Sequence, residues 1–196
     1  MIGLKAPDIA PQMAERLMTR FGSMPAVLAA RPEDRAATIG AAPVARLFEL
    51  LIRAMRHTLR YQAAAKPILS DPGALVAYLS LDQKWASREW LRVLLLNARN
   101  ELLGEEIVFP GTVNKVQVYP REIAKRALCS DATAVLLVHN HPSGDPTPSQ
   151  ADIDLTKRIA AAVRAVDIRL HDHLIISRNG TTSLRASGCL TSMEEI

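Results

Sequence analysis

Residues 134–138, Ala-Val-Leu-Leu-Val, run apolar without a break and stop at His139-Asn140-His141-Pro142. A short apolar run with β-branched members reads as a strand buried on both faces, so the chain must build a sheet that is covered on both sides. Pro142 cannot donate to a ladder, and the strand ends there. Ser143-Gly144-Asp145-Pro146 is turn chemistry. A helix start follows, with Thr147 as the expected N-cap, Pro148 at the first helical position and Gln150 closing a capping box.

On an extended chain, alternation gives His139 and His141 one face and Asn140 the other. Asp152 falls near the end of the first helical turn, and Ser149, three residues earlier, shares its face. If the loop folds the helix start back over the strand end, Asp152 can give an oxygen to an ion held by the two imidazoles. Two His and one carboxylate, with a fourth position left to water, is the pattern of a catalytic rather than a structural zinc site. Imidazole ligands suit zinc, with iron and nickel as alternatives. The same residues also fit a plainer reading: two surface histidines beside a turn, with Ser149 and Asp152 serving only as cap and dipole partner.

His139-x-His141, then Ser149, then Asp152, resembles at every position the signature of the JAMM (MPN-plus, JAB) metalloproteases. The longer string VHNHPSGDPTPS is similar to the RadC branch of that superfamily. The resemblance runs from about residue 87 onward and is weaker over the N-terminal third. It implies a JAB/MPN-type mixed sheet flanked by helices, reminiscent of cytidine deaminase-like architecture. It implies one Zn²⁺ per chain, held by His139, His141 and Asp152, and a metallopeptidase acting on peptide or isopeptide bonds. In such proteins a glutamate at the entrance to an early strand moves the proton. Glu89 matches that position, because the apolar stretch 91–96 follows at once; Glu101, Glu105 and Glu106 are rivals, and an exposed edge-strand charge is the plainer role for Glu89. Ser149 is expected to steady the tetrahedral oxyanion through its hydroxyl. The RadC family's traditional link with DNA repair makes DNA a second expected partner.

The rest of the chain fits an α/β (α+β) fold preceded by a small helical domain. Helical periodicity covers residues 9–63, and Val44, Leu47, Leu50, Leu51, Ala54 and Leu59 form the expected apolar face of its last helix. Around residues 39–45 the pattern is similar to a helix-hairpin-helix, whose backbone N–H groups meet a DNA phosphate. Its second glycine is replaced by alanine, and plain helical packing is the alternative. The arginines at 46, 53, 56 and 60 give that helix a basic cast. The domain boundary is expected in the Pro- and Gly-bearing linker, with a helical domain over 1–66 and the metal-binding domain over 74–196. Strands are expected over 90–96, 102–109, 113–119, 168–177 and 182–184, with helices over 121–128 and 148–166, alternating as an α/β or α+β sheet requires.

Of 196 residues 48% are hydrophobic, enough for a core, and a net charge of +4 is compatible with nucleic acid without requiring it. Cys129 and Cys189 stand in no metal spacing, so a reducing, cytoplasmic setting is expected, with Cys129 a buried thiol. No apolar run reaches the length of a membrane span, and no membrane partner is expected. His171 and His173 alternate around Asp172; hydrogen-bonded core histidines are the favoured reading, with support for the ligand imidazoles as the alternative.

Overall fold

The computed structural model describes residues 10–64, 67–81, 83–108 and 118–190. The chain divides into two compact units, Met1–Ala63 with Gly73–Ser87, and Ala64–Pro72 with Arg88–Ile196. The division thus groups residues 73–87 with the helical unit, whereas the linker composition starts the second domain at residue 74.

In the first unit the helices Ala10–Phe21 (α1), Met24–Ala29 (α2), Pro32–Ile39 (α3) and Ala42–Ala64 (α4) follow closely on one another. Each break has a local cause. Gly22 takes φ +78° after α1, and Gly40 takes φ +69° as the left-handed cap of α3. Ser23 caps α2 by accepting from the Ala26 N–H. Arg35, buried in α3, donates to the Val27 and Leu28 carbonyls at the end of α2 and pairs with Glu49 of α4. Leu17, Val27 and Ile39 form the small core, with Val44, Ala45 and Phe48 packed on it. The expected apolar face of α4 is therefore only partly right. Leu50 and Leu51 are 62% and 53% exposed, whereas Ile52 is buried and Phe48 partly buried. After a 3₁₀ turn at Ile68–Ser70 comes a short apolar helix, Pro72–Ser80 (α5), with Leu75, Tyr78 and Leu79 buried.

Among the described residues the second unit is built on a sheet of five strands: Leu91–Leu96 (β1), Leu102–Val108 (β2), Ala134–His141 (β3), Arg169–Ser177 (β4) and Gly180–Ser183 (β5), in the order β2-β1-β3-β4-β5. Two helices accompany it, Pro120–Cys129 (α6) before β3 and Gln150–Arg164 (α7) between β3 and β4. β1 is antiparallel to β2 and β3, β4 is parallel to β3, and β5 is antiparallel to β4. The parallel pair needs a crossover, and α7 supplies it. Alternation divides the buried strands. Leu91, Val93 and Leu95 of β1 and Val135 and Leu137 of β3 pack with Ile123 and Ala127 of α6 and Leu155, Ile159 and Val163 of α7. His139 continues the Val135–Leu137 side.

The run at 134–138 is thus the middle of the sheet, and its strand extends through His141. The strand expected over 113–119 falls mostly outside the described residues. Cys129 is exposed, contrary to expectation, because it ends α6, whose buried positions are Ile123, Ala124 and Ala127. Among the described residues no helix is long and apolar enough to cross a membrane.

Candidate metal centre

Three elements converge at one end of β3. The first is the strand itself, which carries His139 and His141 to the same face; their rings meet edge to face, with centroids 5.2 Å apart. The second is the segment entering β1. Leu91 pairs with His139 in an antiparallel register, so two residues further out Glu89 comes opposite His141, on the imidazole face. The third is the first turn of α7, which brings Asp152. Ligand atoms of Glu89, His139, His141 and Asp152 all lie within 4.8 Å of one another.

The loop from Pro142 to Ser149 is tied down so that α7 starts where it must. Gly144 takes φ +95°, a conformation that favours glycine, and a Cβ there would sit close to the Asn179 side chain, at 3.3 Å. Its carbonyl accepts from the buried Ser177 hydroxyl at 2.8 Å, and Arg178 donates to the Pro142 and Ser143 carbonyls. The β4–β5 hairpin thus holds the loop in place.

The N-cap of α7 is Ser149, not Thr147, and Asp152 rather than Gln150 closes the capping box. The Thr147 N–H is instead used in a turn onto Asp145 Oδ1 at 2.9 Å, which delays the helix. Asp152 Oδ2 accepts from the Ser149 N–H at 2.8 Å and from the Ser149 hydroxyl at 2.6 Å. Its Oδ1 is left for His139, 2.9 Å from Nδ1. Cap and cluster therefore share one carboxylate, at a helix end whose dipole favours negative charge.

His141 Nδ1 lies 2.9 Å from the Asp145 carbonyl. A carbonyl only accepts, so Nδ1 carries the proton and the neutral ring presents the Nε2 lone pair, 3.4 Å from Asp152 Oδ2 and 3.9 Å from Glu89 Oε1. His139 is more enclosed. Asp152 Oδ1 stands beside its Nδ1, and Glu89 Oε1 stands 2.8 Å from its Nε2, yet neither buried nitrogen has a partner in hydrogen-bond geometry. Buried polar atoms left this way are rare. Two carboxylates crowding imidazole nitrogens off the N–H direction are what a donor set for a divalent cation looks like, and nitrogen with carboxylate oxygen suits zinc. The residues fit the ion.

The two carboxylates also set the charge on the imidazoles. Burial pushes the His139 pKa down, but Asp152 and Glu89 more than offset it and raise it to about 9. The His141 pKa is raised, chiefly by Asp152. Burial favours the neutral form of Asp152, yet His139, His141 and the Ser149 hydroxyl hold its pKa far below the usual carboxylate range. Contact with His139 lowers that of Glu89.

The rival glutamates are occupied elsewhere. Glu101 accepts from Asn97 at 2.7 Å, Glu105 pairs with the buried Arg92 at 3.3 Å, and Glu106 pairs with Arg126. His171 Nε2 meets Asn100 Oδ1 at 2.6 Å. His173, fully buried, has Nδ1 2.6 Å from the Thr156 hydroxyl and its ring stacked with His139 at 6.0 Å between centroids. Burial pushes its pKa down to about 3, with His139 adding to the effect, so it stays neutral. His173 is therefore a core residue whose ring stacks on that of His139, whereas His171 bonds Asn100 instead. What the sequence reading missed is Asn140, whose side chain reaches the chain on both sides of Glu89.

A mixed sheet whose central strand ends in H-x-H, met by a helix-borne aspartate and a strand-entry glutamate, places this chain among the JAB-domain proteins. Residues 69–189 match the family model described as RadC-like JAB domain. A relative named UPF0758 protein, from Rhodobacter capsulatus, is 43% identical over 189 residues, which cover 95% of this chain and 87% of the relative. The chain belongs to the RadC family.

Proposed function

We propose that this chain is a zinc-dependent hydrolase of amide bonds, a metallopeptidase in which Glu89 moves the proton. The observation that carries the reading is the convergence of the Glu89, His139, His141 and Asp152 ligand atoms within 4.8 Å, with both buried His139 nitrogens lacking hydrogen bonds. His139, His141 and Asp152 would hold the ion. When bound, it supplies Lewis acidity: it lowers the pKa of a neighbouring water and polarises the amide carbonyl.

The chain's own residues supply the rest. Glu89 is kept ionised by His139 and has a half-exposed side chain, so it can take a proton from water and later give it to the departing amine. Ser149 supports this reading differently from the expected oxyanion role. Its hydroxyl faces Asp152 Oδ2 and orients that carboxylate; it reaches an oxyanion only by turning away from Asp152.

The test is hydrolysis of a quenched-fluorescent peptide library and of lysine isopeptides by zinc-loaded protein, beside chelated protein and Glu89→Gln. The reading requires cleavage that chelation abolishes, zinc restores and Glu89→Gln reduces by about two orders of magnitude. Equal cleavage by chelated and zinc-loaded protein sinks it.

A second reading, contact with DNA through the turn between α3 and α4, is favoured by one observation. Gly40 is exposed, and the space over its Cα is open, with nothing within 4 Å of a Cβ placed there. Phosphate contact at that turn requires binding to single-stranded or branched DNA that weakens steeply with salt. Binding that ignores salt, or no binding, removes it.

A further inference from the structure

Asn140 stands between the two imidazole positions on β3 and is 1% exposed. Both hydrogen bonds of its amide go to the segment that carries Glu89. Its Oδ1 accepts from the Trp90 N–H at 2.9 Å, and its Nδ2 donates to the Arg88 carbonyl at 2.9 Å. Arg88 and Trp90 are the two residues flanking Glu89. The paired register between β1 and β3 starts at Leu91 with His139, one long backbone bond from the Asn140 N–H to the Trp90 carbonyl, at 3.4 Å, follows it, and Glu89 lies beyond both. The Glu89 side chain is itself 47% exposed, and packing alone does not fix it.

We propose that Asn140 is the positioning residue for Glu89, a clamp that holds this carboxylate over the His139–His141 pair. It rests on the reading of Glu89 as the proton-moving group. A primary amide offers a donor and an acceptor in one plane, the pair that an N–H and a C=O two residues apart require. Aspartate keeps the acceptor for Trp90 but sets an oxygen against the Arg88 carbonyl. Alanine leaves both backbone groups without their partner, a costly state for buried peptide groups. The stretch 139–141 thus carries two ligands on one face and, between them, the anchor of the acid–base group. The coupling matters because a displacement of about 1 Å at a reacting group can cost about 100-fold in rate.

The test is a double-variant cycle read without activity. In metal-free protein, Glu89→Gln is made in the wild type and in Asn140→Ala, and the ¹⁵N shifts of the His139 ring are recorded. Glu89 Oε1 is 2.8 Å from His139 Nε2, so Glu89→Gln moves that resonance in the wild type. The clamp requires that it move it by less than half as much once Asn140 is alanine. It also requires Trp90 amide exchange to speed up at least tenfold while the Val93 and Leu94 amides stay protected. If Asn140→Ala does not fold, Asn140→Asp serves in the same cycle. Equal shifts in both backgrounds, or an unchanged Trp90 amide, overturn the proposal. On zinc-loaded protein, Asn140→Ala should lower kcat with KM unchanged and add no loss to Glu89→Gln. A wild type that shows no Glu89-dependent hydrolysis overturns the hydrolase reading alone, and the ¹⁵N cycle still decides the clamp.

Discussion

Asp152 Oδ1 lies 2.9 Å from His139 Nδ1, while the other oxygen of the same carboxylate closes the N-terminal cap of its own helix. Helix start and candidate cation site therefore share one carboxylate. Asp152→Asn keeps a cap acceptor but loses the charge. It should weaken zinc binding by more than about 100-fold, beyond the range for an outer partner, while costing only about 1 kcal/mol of stability. Chelator competition and thermal melts measure the two separately.

Ser149→Ala removes the hydroxyl that caps α7 and steadies Asp152 Oδ2. The expected cost is about 1 kcal/mol in stability. Zinc affinity should fall by about 10- to 100-fold, the effect of losing a ligand's supporting hydrogen bond. If affinity is unchanged while stability falls, Ser149 is a cap and nothing more.

The metal-free protein should be most stable near pH 6.5. The pKa of His139 is raised in the fold to about 9, so its contribution is complete below 6.5 and is lost as pH rises through 9. The pKa of His173 is depressed to about 3, so its contribution is complete above 6.5 and is lost as pH falls toward 3. Denaturant melts in chelator from pH 4 to 9.5 should trace a maximum; a flat profile contradicts the opposed shifts. Zinc must displace the proton on His139, so its affinity should rise with pH up to about 9.

Glu105→Gln and Glu106→Gln should leave hydrolysis within about twofold of wild type, because neither group belongs to the cluster. Glu105→Gln should still cost stability, since its partner Arg92 is 1% exposed and would keep a buried charge less well balanced. Loss of activity in either variant equal to that of Glu89→Gln would move the proton-transfer role away from Glu89.

Much of this was legible in the sequence because it is local. The apolar run at 134–138, the alternation of His139 and His141 and the nearness of Ser149 to Asp152 depend on periodicities that a few residues reveal. Glu89 was harder. Its place beside His141 follows from the β1–β3 register, and only the resemblance singled it out in advance. Asn140 was invisible for the same reason, since its partners Arg88 and Trp90 lie far off in the chain. The shift of the N-cap from Thr147 to Ser149 came from competition between two sound local signals, decided when Asp145 took the Thr147 N–H. Leu50 and Leu51 misled because helical periodicity marks an apolar stripe on α4 but not which part of it a neighbour covers.

The central claim is that the end of β3 holds one metal ion. Elemental analysis of the protein, purified without added metal or chelator and then titrated with zinc, tests it most directly beside His139→Ala. The account predicts one tightly held zinc per chain in the wild type and none in a His139→Ala variant that keeps its fold. No stoichiometric metal in the wild type, or the same content in both proteins, would contradict it.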